Sequence, residues 1–554
     1  MKSRIRNMTR CGFAAAVLAA LTACGGGDSG PAPPPPPAMY TVGGTVTGLT
    51  GSGLLLASGF GNLPVSAAGT FTFGTRVVSG TPYSVSVEAQ PSSPTQYCSV
   101  ANASGIVAAA NVTNVSVTCG NGYTVGGTVS GLVGSGLEMQ MSARSHNGRT
   151  IAIGPPLQIN SNGAFTFDAV SNMSLVTAVD ITQQPASPTQ LCLIHNFVQA
   201  ANVTDVEVVC SQFSYVANAG DNTVSAYTVD ATSGALAAVG TPVATGTSPH
   251  GIVGTKDKKY VFVGNEGSND ISAFGVNSAS GALTAVPGSP FAAGTDPKAL
   301  ALLGTCTSLP PMCMPSSLYL YVANAGSDTV SAFAVDTSTG SLTPLSPATF
   351  ATGKGPSSIA VDRTGRFIYV ANNGGSNNIS AFSVDATTGI LTPVAGSPFP
   401  AGANPLSLAL VATGKFLFTA NPDATNSSIS GFNVDTNSGA LTPLSGSPFP
   451  LAVSHHIATD RTGAYLYVTA GTGVVGYGID GTTGMLTPLP GFPVVTGTDA
   501  YSVALDPTNQ FLYGANDGAA NVAGFRLDAS TGGLTPITGS PFAAGNRPDF
   551  LATL

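Results

Sequence analysis

From Phe213 onward, short apolar runs alternate with turn residues, and the alternation itself repeats. The clearest copy is Ser357–Pro400, SSIAVDRTGRFIYVANNGGSNNISAFSVDATTGILTPVAGSPFP. Three runs rich in Val, Ile, Tyr, Phe and Thr are followed by a fourth carrying Leu-Thr-Pro and Gly-Ser-Pro-Phe. β-branched and aromatic residues in runs this short predict strands, and no stretch sustains the 3.6-residue period of a helix. The strand-end element aromatic-Val-Ala-Asn and its variants stop at Asn218, Asn265, Asn324, Asn372, Asn421, Gly471 and Asn516, at intervals of 47, 59, 48, 49, 50 and 45 residues.

A repeat of this length with four strands cannot bury its apolar faces alone and must stack on its copies. Seven copies predict a seven-bladed β-propeller over residues 212–554. With strands lettered a to d from the channel outward, the array opens on a b strand, FSYVAN (Phe213–Asn218), with no a strand before it. PDFLATL (Pro548–Leu554) reads like the a strand PSSIAVD (Pro356–Asp362) and is expected to complete the first blade, closing the ring without an open edge.

Two further copies precede the ring. YTVGGTVTGLTGSGL starts at Tyr40 and YTVGGTVSGLVGSGL at Tyr123, an offset of 83 residues. Each continues to Phe-Thr-Phe (Phe71–Phe73, Phe165–Phe167) and to two cysteines framing VTNVSV or VTDVEV. Alternating strands with Gly-rich turns predict two small β-sandwiches, 40–120 and 121–211. The whole chain is therefore expected to be all-β. These modules resemble repeats of bacterial surface lipoproteins, which implies a stalk.

The start of the chain carries an address. Lys2, Arg4, Arg6 and Arg10 precede the apolar stretch CGFAAAVLAALTA (11–23), too short to span a bilayer as a mature helix, so 1–23 reads as an export signal. Leu21-Thr22-Ala23-Cys24-Gly25 resembles a bacterial lipobox. The resemblance implies that Cys24 is lipidated, and Gly25 in place of Asp favours the outer membrane, on its periplasmic or its surface side. One such anchor ties the protein to a membrane surface. The Gly- and Pro-rich segment 24–39 is a spacer. Cysteine use agrees with export: Cys98 with Cys119, Cys192 with Cys210 and Cys306 with Cys313 form local pairs expected to be disulfides. Zinc is the alternative, but no CxxC or Cys/His spacing supports it. No metal or cofactor is expected.

Only 8% of residues are charged and Trp is absent. Residues 1–211 carry 7 basic and 7 acidic side chains, and 212–554 carry 11 and 19, so the net −8 sits on the propeller. A nucleic-acid partner, which needs a basic footprint, is excluded.

Strand direction places the a-strand starts around one channel mouth. The equivalent residues there are His250, Lys298, Ser357, Leu406, His455, Tyr501 and Asp549, five of them ionisable. In a chain so poor in charge this ring is the candidate site, as ligand-binding groups or as a solvated polar rim. Arg547, two residues before Asp549, joins it. Glu266, the only glutamate after residue 211, ends the b strand whose hairpin partner begins at His250, so the two are expected nearly opposite each other. The recurring Asp-x-x-x-Gly (Asp230/Gly234 through Asp528/Gly532) reads as Asx turns better than as calcium ligands.

The seven copies resemble the YVTN- and lactonase-type seven-bladed propellers, the group that includes 6-phosphogluconolactonase. Asn265-Glu266 and Pro249-His250 carry the resemblance at the site. It implies His250 as acid/base, Glu266 as its partner or a second base, and Lys298 or Arg547 as the cation for an oxyanion. Three functions follow as expectations: a scaffold whose mouth binds a protein or small ligand, a lactonase, and a surface adhesin.

Overall fold

The computed structural model describes residues 36–144, 150–168, 176, 178–195, 203–305, 317–423, 426–451 and 455–554. The signal segment, Cys24, and the Cys306 and Cys313 pair lie outside the described residues.

Seven sheets form the ring, one for each blade. Blade IV is typical: a (Pro356–Val361), b (Phe367–Asn372), c (Asn378–Val384) and d (Leu391–Pro393), with Phe399–Pro400 also on strand c. The b strand is buried at every position, which is why its sequence FIYVAN is continuously apolar up to its last residue. Blade I takes its a strand from Pro548–Thr553, antiparallel to Gln212–Asn218 with Ser214 opposite Thr553 and Ala217 opposite Phe550. The ring is thus latched as the repeat phase predicts.

Adjacent blades are stitched by the motif residues themselves. The b-strand tyrosines Tyr215, Tyr321, Tyr369, Tyr467 and Tyr513 donate hydroxyl hydrogen bonds to the carbonyls of Gly281, Gly389, Gly439, Gly532 and Gly234 in the next blade. Each glycine closes a c–d turn with positive φ, and at Gly389 (φ 72°) a Cβ would lie 2.6 Å from the Tyr319 ring. The turn's first residue caps it: Asp385 Oδ1 accepts the N–H of Thr387 and Thr388, which hold the carboxyl below its usual range. The strand-end Asn donates Nδ2 mainly to a strand-c hydroxyl, as in Asn372 to Ser380 (3.0 Å). The polar groups there are side chains because the backbone at that point is already used by the ladder.

The sandwiches are each built on two main sheets, the first with a two-stranded ribbon of Met39–Tyr40 and Val77–Val78 besides. In the first, Gly69–Thr72, Val42–Thr47, Val112–Asn121 and Gln96–Ala101 face Gly61–Val65, Leu54–Ser58, Pro82–Ala89 and Ser104–Ile106, and Cys98 is bonded to Cys119. The second repeats the plan with four and three strands and the bond Cys192–Cys210. The first sandwich is a compact unit by itself; the second belongs with the propeller. Lys258, 2% exposed, locks that junction: its Nζ donates to the carbonyls of Leu191 (3.2 Å) and Ser211 (2.7 Å), and burial lowers its pKa to about 8. Gln510 Nε2 donates to Thr189 O at 3.0 Å. Both propeller residues lie in a–b turns, so the second sandwich sits on the face opposite the a-strand starts. Among the described residues, no helix is long and apolar enough to cross a membrane.

Candidate functional site at the channel mouth

The a strands do not simply begin at the mouth; five of the seven begin with a bulge. The extra residue is Lys298, Ser357, Tyr501 or Asp549 in blades III, IV, VII and I, and it falls at His250-Gly251 in blade II. A bulge re-aims a side chain out of the sheet's alternation, and this is how the predicted ring residues reach the channel. Two residues earlier, the chain takes a left-handed φ in six blades among the described residues: Ser248, Asp296, Gly355, Asn404, Asp499 and Arg547. Five of these are ordinary turn residues. Arg547, at φ 51°, is not, and its retention there costs of order 1 kcal/mol.

His250 is buried in the channel. Its Nδ1 lies 2.9 Å from Lys298 O and its Nε2 3.2 Å from the Tyr501 hydroxyl. A carbonyl only accepts, so the neutral ring carries its proton on Nδ1 and takes the Tyr501 hydrogen bond on Nε2. Burial, then the Lys298 charge, lowers the pKa of His250 to about 4, so this neutral form persists at pH 7. Burial likewise raises that of Tyr501.

Glu266 does not pair with His250. Its carboxylate meets Lys298 Nζ at 2.6 Å, and Asp296 Oδ1 lies 3.4 Å from the same ammonium. Burial would raise Glu266, but the Lys298 hydrogen bond and charge outweigh it and hold the group low. Burial pushes Asp296 up against the pull of Lys298. The reason is lateral: Glu266 lies beyond the hairpin, where its amide donates to Ser248 O, and faces the bulge of blade III.

Asp549 is 4% exposed, and among the described residues no donor reaches its Oδ1. Burial and the charge of Asp517 raise its pKa to about 7, against the pull of Arg547. Arg547 Nε lies 3.4 Å from Asp517 Oδ1 and is largely exposed.

The residues one step inward are small in five blades: Gly251, Ala299, Ser358, Ser407 and Ser502. The other two are His456 and Phe550, which plug the channel with ring centroids 5.1 Å apart. His456 Nδ1 accepts the Val503 N–H, and burial, then the nearby His250, lowers its pKa to about 4. His250 stacks on Phe550 at 4.7 Å, and His455 on Tyr501 at 5.8 Å. These rings leave a cavity of about 30 Å³ beside Ser357 and Leu406, room for one or two waters. Of the predicted ring, His250, His455 and Tyr501 meet here, while Lys298, Arg547 and Asp549 belong with Glu266 to the charged rim. His456 stands out in the sequence as one of two large residues, with Phe550, in a column that is otherwise small.

A sequence model described as "Lactonase, 7-bladed beta-propeller" matches residues 161–295, 313–403 and 397–548. The chain belongs to this lactonase propeller family. Three solved structures share the lactonase propeller fold. A putative 6-phosphogluconolactonase from Bacteroides uniformis superposes with TM-score 0.53 at 17% identity, over 62% of this chain and 99% of that one. One from Bacteroides fragilis gives 0.52 at 19%, over 62% and 98%. The periplasmic gluconolactonase PpgL of Pseudomonas aeruginosa gives 0.50 at 18%, over 62% and 99%. No curated protein sequence matches the chain.

Proposed function

We propose that this protein is an exported hydrolase of lactones, tethered through Cys24, that works at the charged rim of the channel mouth. The observation that carries the reading is Asp549, a buried carboxyl with an unpartnered oxygen and a pKa near 7, next to a strained arginine. A general base is most effective when its pKa lies near the working pH; His250, at about 4, is a weaker candidate than its family resemblance implies. In this reading water attacks the lactone carbonyl carbon and its proton passes to Asp549. The carbonyl oxygen takes up the negative charge facing Arg547. The ring C–O bond breaks, and Asp549 returns the proton to the leaving oxygen, giving a hydroxy acid. His250 and Tyr501 hold the floor beneath the rim. Two disulfides and the periplasmic provenance of PpgL support export.

A second reading, binding without turnover, is favoured by the small cavity and by Glu266 and Lys298 already satisfying each other. The full chain, made in an oxidising compartment and assayed on sugar, phosphosugar and acyl lactones, separates the two. Hydrolysis that rises through pH about 7 and falls at least 100-fold in Asp549→Asn and Arg547→Gln supports the enzyme. No turnover from a folded ring supports the binding protein.

A further inference from the structure

The opposite mouth of the channel carries a second, unassigned pocket of about 300 Å³. It is bounded by the a-strand ends and a–b turns of blades II to VI. Leu302, Leu303, Val361 and Leu410 form one part of its wall, and Lys256, Arg363 and Arg461 another. The three cations are equivalent by repeat: each follows the first residue of its a–b turn, twice in the same tetrapeptide Asp-Arg-Thr-Gly (362–365, 460–463). The propeller as a whole is acidic, so three converging cations run against its overall charge.

The carboxylates of those turns are spent on the backbone. Asp362 Oδ1 accepts the N–H of Arg366 and Phe367, and its Oδ2 takes Thr364. Asp460 Oδ1 accepts Ala464 and Tyr465, and its Oδ2 takes Thr462 and Asn509. Among the described residues, none of the three cations has a carboxylate within 4 Å, since the ion pairs found lie elsewhere. Arg363 reaches only Ala412 O (3.5 Å) and Arg461 only Asp506 O (3.3 Å). Like charges repel here: Arg363 and Arg461 add to the burial that lowers Lys256, and Arg363 acts on Arg461 in the same sense. The second sandwich, docked on the turns holding Lys258 and Gln510, belongs to the same face.

We propose that this pocket binds a small organic phosphate, its dianion held by Arg363, Arg461 and Lys256 and its uncharged part against Leu302, Leu303, Val361 and Leu410. Paired arginines suit a phosphate because each presents a planar fork of donors, and an apolar wall gives a carbon skeleton somewhere to lie. The site is separate from the His250 mouth and does not rest on the lactonase reading.

The test is calorimetric titration of the full chain with glycerol 3-phosphate and inorganic pyrophosphate at low salt. Saturable one-site binding is expected, weakened at least tenfold by Arg363→Gln and more by Arg363→Gln with Arg461→Gln, weakened less by Arg363→Lys, and reduced by added salt. Asp549→Asn should bind as the parent does. All altered arginines are exposed, and circular dichroism checks that the variants stay folded. Sedimentation with phosphatidic acid vesicles, lost in the double variant and unaccompanied by glycerol phosphate binding, would keep the phosphate and assign it to a lipid headgroup. No saturable binding of any of these, or equal binding by the double variant, overturns the proposal.

Discussion

The blade walls and the channel mouth are built from the same seven repeats and follow opposite rules. In the walls the copies share their joints: in five blades the tyrosine reaches the next blade's glycine, the aspartate caps its turn, and the Ser of Gly-Ser-Pro-Phe accepts a strand-c N–H, as Ser397 does from Ala381. At the mouth the five bulged blades all differ, and the bulged position is His, Lys, Ser, Tyr or Asp. Where a repeat is kept, its tyrosine, turn aspartate and serine serve the fold, and each of these finds a partner. Where it is broken, the molecule tolerates a buried unpartnered carboxylate and a left-handed arginine, costs that the fold does not require.

The comparison breaks most completely if the ring is opened. Deleting Pro548–Leu554 leaves the buried strand Gln212–Asn218 as an open edge and exposes the neighbours of Leu551 in blades I and VII and of Leu554 in blades I and II. The expected outcome is loss of a single cooperative melting transition and aggregation on mild heating, by calorimetry and light scattering. A truncated chain that melts as sharply as the parent would show that the latch is dispensable.

The next effect has the opposite sign. Asp549 has a folded pKa of about 7 against 3.8 unfolded. Between those values the unfolded chain ionises and the folded chain keeps its proton, so stability is full below pH 4 and falls as pH rises towards 7. Asparagine does not titrate. Asp549→Asn should therefore melt higher than the parent above pH 7, by up to about 4 kcal/mol, and equally near pH 4. A variant less stable than the parent at pH 8 would place Asp549 among the structural residues of the wall.

Much of this division was legible in the sequence. The period, the phase of the first blade and the column of a-strand starts follow from counting, because a repeat protein writes its topology as register. Cys98–Cys119 and Cys192–Cys210 were legible because their spacing spans neighbouring strands of one sheet. The pairing of Glu266 with Lys298 was not: the residues are on different blades, and a one-residue bulge decides which way each side chain turns. Nor did the column of candidate residues predict burial. His250 and Lys298 occupy the same register, yet one is sealed under Tyr501 and Phe550 while the other reaches the rim. The cations of the opposite mouth carried a signal, the twice-used Asp-Arg-Thr-Gly, that becomes a site only when three turns are brought together around the channel axis.

The smallest effect sharpens the contrast most. Tyr369→Phe removes one hydroxyl that donates to Gly439 O at 3.0 Å and leaves the ring in place. The tyrosine is fully buried, so the lost bond leaves the Gly439 carbonyl short of a partner, and the cost is about 1 kcal/mol. Because the same stitch occurs in five blades, Tyr321→Phe and Tyr513→Phe should cost a similar amount, and distant stitches should add. None should change anything measured at the mouth, since the stitch lies between the walls of neighbouring blades. Tyr501→Phe removes a hydroxyl of the same kind, but that one donates to His250 Nε2 and returns a lone pair to the channel. Chemical denaturation of the four variants beside their ligand or lactone response therefore divides them three to one. If all four lose stability alike and the mouth is indifferent to Tyr501, the broken repeats are no more than irregular packing.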